Sequence, residues 1–253
     1  MNRKCLWCLK SEPNVSFINK AHTIPKSLGG QNYNRNVCDN CNEYFGNCQD
    51  KHYSIEEALK ETFNISRQRI LLVNEPKRKV GRFKSKFFEV KERNGIYRLI
   101  AKSSFRFNAA FQSELCRTFK RGLYKMYFEE LNRQREIGYD EKYNIIREFA
   151  RYNIGEMPIF YFNRNFGAIL MLKNEAETPI LYFDRMLYLY TDNKFAEIEF
   201  LGHVFGFPIS EFKEEDIQIY FSKTYELKKK FFKDFVNVER LTDIDFTLKI
   251  LNG

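Results

Sequence analysis

Two Cys-x-x-Cys pairs, Cys5/Cys8 and Cys38/Cys41, constrain the fold of this chain more than any other feature. Each pair places two thiolates on a tight turn, and two such turns facing each other form the closed tetrahedral shell of a structural zinc ion. A module of about 50 residues buries too little apolar surface to be stable alone, so zinc would supply the missing folding free energy. The alternative is redox-active or unrelated thiols. On either interpretation this metal is not the catalyst.

The segment between the two pairs is longer than in a common zinc ribbon and carries a pattern of its own. His22 is followed by Thr-Ile-Pro, a Gly29-Gly30 turn and Asn36, and Asn42 comes directly after the last cysteine of the second pair. We expect a hairpin strand at 21–25 and a helix that begins near residue 39, with Asp39 or Asn40 as its N-cap.

This ordered set of motifs resembles the HNH endonuclease family, the ββα-metal nucleases, in the version that carries four cysteines. The resemblance implies that His22 is the general base, whose neutral imidazole takes a proton from the water that attacks phosphorus. It implies that Asn36 braces the hairpin loop, with Asn34 and Asn32 as alternatives. It also implies that the amide oxygen of Asn42 binds one catalytic Mg²⁺ or Mn²⁺ ion.

One position departs from the family pattern. Many members have Asp or Glu directly before the base histidine as the second metal ligand, whereas this chain has Ala21. Asp50 is the predicted substitute ligand, and His52 is an alternative to it. Weak metal binding and loss of catalysis are the other outcomes. The second functional hypothesis is therefore a non-catalytic nucleic-acid-binding protein that retains the zinc scaffold.

Positive charge is concentrated directly after the cysteine module. Residues 66–106 contain 13 Lys/Arg and 3 Asp/Glu, a balance of +10, while the whole chain carries +9. A basic stretch of this kind favours a polyanion, because each Lys or Arg placed on a phosphate releases condensed counterions. We predict nucleic acid, with DNA preferred, as the partner, and contacts to it from Lys77, Arg78, Lys79, Arg82, Lys84 and Lys86.

The remaining pattern predicts helices joined to an antiparallel sheet. A capping box at Ser54 opens a short helix to about Phe63, and Asn94-Gly95 predicts a β-hairpin. Apolar spacing predicts a long amphipathic helix at 108–135. Further helices are expected at 140–152 and 213–235, and strands at 159–162, 168–172, 180–183, 187–190 and 196–201.

The predicted fold class is α+β, with a small zinc-stapled ββα-metal (HNH) module followed by a mixed helix and antiparallel-sheet domain. The predicted division is a nuclease module at 1–58, a basic arm and hairpin at 59–106, and an α+β domain at 107–253. No run of 18 apolar residues predicts a transmembrane helix, and the start lacks a signal-peptide core, so we expect a cytoplasmic protein without a membrane partner. One active site per chain nicks one strand, so cutting both strands requires a homodimer or a larger complex. A role in restriction or phage defence follows from the resemblance alone.

Overall fold

The computed structural model describes residues 2–48, 53–73, 84–94, 96–164, 177–184 and 186–244. Its N-terminal part contains a two-stranded antiparallel hairpin, with Ala21 opposite Asn34 and His22 opposite Tyr33. Two helices follow the hairpin. The bounds of these elements are β1 Ala21–His22, β2 Tyr33–Asn34, α1 Asp39–Gly46 and α2 Ile55–Val73.

The central part of the chain is an antiparallel hairpin followed by the longest helix of the described residues. Its elements are β3 Phe88–Arg93, β4 Ile96–Ala101 and α3 Ala109–Arg135. Asn108 caps α3, because its side-chain oxygen accepts a hydrogen bond from the backbone N–H of Phe111. The predicted hairpin and the predicted long helix are both present.

The C-terminal part contains a five-stranded antiparallel sheet and one further long helix. The strand order is β6-β7-β8-β5-β9. Its elements are β5 Phe160–Arg164, β6 Leu181–Tyr182, β7 Phe195–Phe200, β8 His203–Pro208, α5 Glu214–Phe231 and β9 Phe232–Asn237. Leu201 and Gly202 both have positive φ, which gives the tight two-residue turn that joins β7 to β8.

Helix α3 lies at the centre of the molecule. Every residue from Thr118 to Asn132 is buried, so the helix is enclosed on all sides rather than amphipathic as predicted. On one side the ring of Phe128 contacts Trp7 of the cysteine module, with 5.2 Å between ring centroids. On another side the ring of Tyr124 lies 4.7 Å from Phe207 of the sheet. The module and the sheet therefore share one core built around α3.

The observed mixture of helix and antiparallel sheet agrees with the predicted α+β class, but several predicted boundaries are wrong. Ser54 caps α2 as predicted, since its hydroxyl accepts from the N–H of Glu57 at 3.0 Å. However, α2 continues to Val73 rather than ending near Phe63. At α1 the N-cap is Cys38, and no described side chain caps the helix there.

Three predictions about the second half also change. The segment 140–152 is a compound helix of a 3-10 turn Glu141–Tyr143, a short α4 Asn144–Ile146 and a π-helical turn Arg147–Tyr152. Residues 187–190, which the structure describes, form no strand, and Leu187 is 90% exposed. The predicted final helix stops at Phe231 because the next six residues pair with β5 as β9. The predicted strand at 168–172 lies outside the described residues.

Within the described part of the chain, no helix has the length and apolar character needed to cross a membrane.

Candidate functional site

The first cysteine pair lies on a tight turn near the N-terminus. The N–H of Cys5 donates to the carbonyl of Lys10 at 2.8 Å, and the N–H of Leu9 donates back to the carbonyl of Cys5 at 3.0 Å. Leu9 adopts a left-handed φ of 58°, which closes the turn. These backbone bonds place the sulfurs of Cys5 and Cys8 on the same side of the loop as the second pair.

The second pair lies at the N-terminus of α1, where Cys38 is the N-cap and Cys41 occupies the first turn. Unpaired backbone N–H groups at this end of a helix favour negative charge, so the position suits thiolates. The side chain of Asp39 does not cap the helix. Its carboxylate instead accepts bonds from Ser16 and from the N–H groups of Ile18 and Asn19, and so fixes the preceding loop.

The four sulfur atoms lie within 4.8 Å of one another, and the Cys8–Cys38 pair is separated by 3.8 Å. A tetrahedral site with Zn–S bonds of about 2.3 Å requires sulfur separations of roughly 3.8 Å, so the donor set and its geometry fit zinc. Burial raises the pKa of Cys38 to about 12. A thiolate at this position therefore needs a cation. The guanidinium of Arg151, whose Nε donates to the sulfur of Cys41 at 3.5 Å, adds positive charge from outside the cluster.

His22 lies on β1 with its imidazole half-buried. Its Nδ1 is 3.1 Å from the carbonyl oxygen of Lys20. Because a carbonyl only accepts hydrogen bonds, Nδ1 carries the proton and Nε2 keeps a free lone pair. Burial lowers the pKa of His22, and the nearby charges of Lys26 and Lys125 lower it further, against the carbonyl of Lys20 and the carboxylate of Glu56. The ring is therefore neutral at physiological pH and is oriented as a proton acceptor.

The Gly29-Gly30 turn after His22 has a steric explanation. A Cβ added to Gly30 would lie 1.9 Å from the carbonyl oxygen of Ile24. Gly29 has φ of +100°, and a Cβ there would lie 2.3 Å from the carbonyl oxygen of Glu177. Only glycine fits both positions, so the turn returns the chain closely enough for the N–H of Thr23 to reach the carbonyl of Asn32 at 3.1 Å.

The asparagines of the returning segment have different contacts. Asn34 is buried, its Nδ2 donates to the backbone carbonyl of Glu129 at 2.7 Å, and its Oδ1 accepts from the N–H of Asn36 at 2.8 Å. The carbonyl of Asn36 accepts from the N–H of Leu6 at 2.6 Å, and its side chain hydrogen-bonds to the hydroxyl of Tyr139. The side chain that spans from the loop to α3 is thus that of Asn34, while Asn36 connects the loop to the first cysteine turn.

Asn42 lies on α1 directly after Cys41 and is half-buried, and its N–H donates to the carbonyl of Cys38. Among the described residues, the four cysteines are the only group of three or more His, Cys, Asp or Glu side chains close enough to hold a metal ion. A catalytic ion would therefore have Asn42 as its predicted protein ligand here. The second predicted ligand, Asp50, lies outside the described residues, and Ala21 is fully buried.

Most of the predicted nucleic-acid contacts, namely Lys77, Arg78, Lys79 and Arg82, also lie outside the described residues. Lys84 is exposed, and its carbonyl accepts from the side chain of Asn64. Lys86 is half-buried and pairs with Glu57 at 3.2 Å. Of these two lysines, Lys84 is the one whose charge is open to a polyanion.

Sequence reasoning missed the residues of α3 that support the module from below. Trp7, which lies inside the first cysteine pair, donates from Nε1 to Oε1 of Glu129 at 2.9 Å. Lys125 reaches the backbone carbonyl of His22 at 2.7 Å. Charged residues in a long helix are ordinarily assigned to its solvent face, so nothing in the sequence pattern singled out Lys125 or Glu129 as buried.

Comparison with known families finds one match, to the HNH endonuclease family model over residues 5–56. No curated protein and no solved structure matches the chain. The matched span contains all four cysteines, the strand of His22, the Gly-Gly turn and the first residues of α2. Residues 5–56 thus form a module of the HNH endonuclease family, with four clustered cysteines in the geometry of a zinc site.

Proposed function

We propose that this protein is a metal-dependent HNH endonuclease that hydrolyses phosphodiester bonds of nucleic acid, with DNA as the substrate. The observation that carries the proposal is the state of His22 within a family-matched module. Its Nδ1 is occupied by the carbonyl of Lys20, and its ring is neutral because its pKa is lowered. An imidazole of this kind presents Nε2 to water as a general base.

In the proposed reaction, Nε2 of His22 accepts a proton from water while the water oxygen forms a bond to phosphorus. The bond from phosphorus to the 3′ oxygen breaks, and the leaving oxygen takes a proton from solvent. A divalent ion, Mg²⁺ or Mn²⁺, supplies charge stabilisation to the phosphate when bound. Asn42 is the proposed ligand on α1, where Cys41 of the adjacent zinc cluster fixes the start of the helix. Asp50 is the proposed second ligand.

The basic stretch at 66–106 supports the assignment of nucleic acid as the substrate, since its charge balance of +10 favours binding to phosphates. We place the protein in restriction or phage defence. Cleavage of both strands would require two copies of the chain or a larger complex.

The test is a nicking assay on supercoiled plasmid with Mg²⁺ or Mn²⁺, comparing wild type with His22→Ala. The variant should keep zinc, fold and DNA binding, yet cleave about 10²–10⁴-fold more slowly, the usual contribution of a general base. Asn42→Ala should also slow cleavage, and raised Mn²⁺ should recover part of that loss because a weakened ion site saturates later. A wild-type rate in His22→Ala would refute the assigned base.

One observation favours a second function. Ala21 replaces the acidic ligand that the family often has, and its fully buried methyl group offers nothing to an ion. The second candidate is therefore a zinc-stabilised nucleic-acid-binding protein without catalysis. The two functions predict the same binding and differ in cleavage. Wild-type protein that binds DNA or RNA but cuts neither, with Mg²⁺ or Mn²⁺ present, would establish the second.

A further inference from the structure

A lysine without any solvent exposure lies beneath the strand of His22. The side chain of Lys125 on α3 is 0% exposed. Its Nζ lies 2.7 Å from the carbonyl oxygen of His22, 2.8 Å from Oε1 of Glu56 and 3.3 Å from Oε2 of Glu129. An ammonium group has three N–H donors, so each one has an oxygen partner. A buried charge persists only when it is paired and hydrogen-bonded in this way.

The same lysine connects the two chemical features of the module. Glu129 is fully buried, and its other oxygen, Oε1, accepts from Nε1 of Trp7. Trp7 lies between Cys5 and Cys8. A continuous set of polar contacts therefore runs from the first cysteine turn through Trp7, Glu129 and Lys125 to the backbone of His22.

We propose that Lys125 is a positioning residue for His22: its ammonium group fixes the carbonyl of His22 and thereby ties the strand that carries the base to α2 and to the cysteine turn. This inference rests on the proposed function, in which His22 is the base. It assigns part of the nuclease site to α3, which lies outside the family-matched residues 5–56.

The backbone contact explains how a lysine that cannot reach substrate affects the base. Strand β1 contains only two residues, so the pairing of His22 with Tyr33 is a weak restraint by itself. A bond to the carbonyl of His22 restricts rotation of the adjoining peptide unit. That restriction keeps Nδ1 of the imidazole against the carbonyl of Lys20, and hence keeps Nε2 free.

The charge of Lys125 acts in the same direction. Burial lowers the pKa of Lys125, but the carboxylates of Glu129 and Glu56 outweigh burial and raise it overall, so the ammonium stays charged. The charged groups that act on His22 come from three elements: Lys26 from the 3-10 turn after β1, Lys125 from α3 and Glu56 from α2. Both lysines disfavour a second proton on the ring, and Glu56 favours it.

The test uses the full-length, zinc-loaded protein with Lys125→Met combined with Glu129→Gln. The second change removes the carboxylate that would otherwise lose its cation, and it retains an oxygen for Trp7. The tautomer and the pKa of His22 are read from the ¹⁵N and ¹³C NMR signals of its ring. The chain contains three histidines, so His22→Ala assigns the signal. Cleavage of plasmid DNA is measured in parallel.

The matched control is Lys26→Met. Lys26 also lowers the pKa of His22 through its charge, but it is exposed and has no contact with the His22 carbonyl among the described residues. Both variants should raise the pKa of His22. Only the Lys125 variant should populate the second tautomer of the ring, and only that variant should cleave about 10- to 100-fold more slowly through misplacement of the base.

A folded, zinc-loaded Lys125 variant with the wild-type tautomer would overturn the inference. If the double variant does not fold, Glu56→Ala replaces it. The Glu56 side chain is 26% exposed, and its removal takes away one of the three acceptors of the ammonium. It should shift the tautomer in the same direction by a smaller amount, and an unchanged tautomer there would equally refute the proposal. Wild-type protein that cuts nothing would refute the proposed function but leave the NMR comparison decisive.

Discussion

The side chain of Asn34 gives the sharpest prediction about stability. It is 2% exposed and makes two short hydrogen bonds, one to the carbonyl of Glu129 on α3 and one from the N–H of Asn36. Asn34→Ala removes both bonds and leaves the N–H of Asn36 without its acceptor. Each bond contributes about 0.5–1.5 kcal/mol, and an unsatisfied buried group costs about 1–3 kcal/mol. We expect the free energy of unfolding to fall by about 2–4 kcal/mol.

Asn36→Ala is the matched control. The side chain of Asn36 is half-buried and bonds to the hydroxyl of Tyr139, while its backbone contacts survive the change. We expect the free energy of unfolding to fall by about 1 kcal/mol or less. Urea denaturation of zinc-loaded protein, followed by circular dichroism, measures both changes. In a chain of this size the Asn34 variant should also melt about 5–10 °C lower. A larger destabilisation by Asn36→Ala than by Asn34→Ala would refute the assignment of the brace to Asn34.

Three further predictions concern the metal, pH and salt. Purified protein should contain about one zinc per chain, and chelation or Cys38→Ser should unfold α1 and the β1–β2 hairpin, so metal-free protein with a native N-terminal part would contradict the zinc assignment. Since a base must be unprotonated and burial lowers the pKa of His22 below 6.5, cleavage should stay constant above pH 6.5 and fall only at lower pH; an acid limb above 6.5 in the pH–rate profile would contradict this. Neutralising residues 77–79 should reduce the slope of log affinity against log salt by about 0.9 for each phosphate of duplex DNA that the protein no longer neutralises, and an unchanged slope would place the binding surface elsewhere.

The features that the sequence predicted are those with a strong local signature. Paired cysteines, a glycine pair that needs its backbone space and an Asn-Gly hairpin each limit the local conformation to few alternatives. The long helix at 109–135 follows from apolar spacing alone. The orientation of His22 was also foreseeable, since a neutral imidazole needs one acceptor, although only the structure identifies the carbonyl of Lys20.

The wrong predictions share a physical cause, which is that long-range packing decided between locally similar alternatives. The last residues of the predicted C-terminal helix have apolar spacing that fits a helix or a strand, and pairing with β5 selects the strand Phe232–Asn237. Lys125 and Glu129 have the i, i+4 spacing of a solvent-exposed ion pair on a helix. The pair is buried because the cysteine module covers that face of α3, and no local pattern reveals that cover.

Trp7 is the single tryptophan of the chain, and its place in the structure has a spectroscopic consequence. The indole is 1% exposed, contacts the ring of Phe128, and hydrogen-bonds to Glu129. Its emission therefore reports on one event, the separation of the cysteine turn from α3, and is silent about the distant sheet. Fluorescence of the unmodified protein should shift to longer wavelength when this contact opens to water. The molecule thus contains its own optical probe, without any label, at the contact between its metal-binding part and its core.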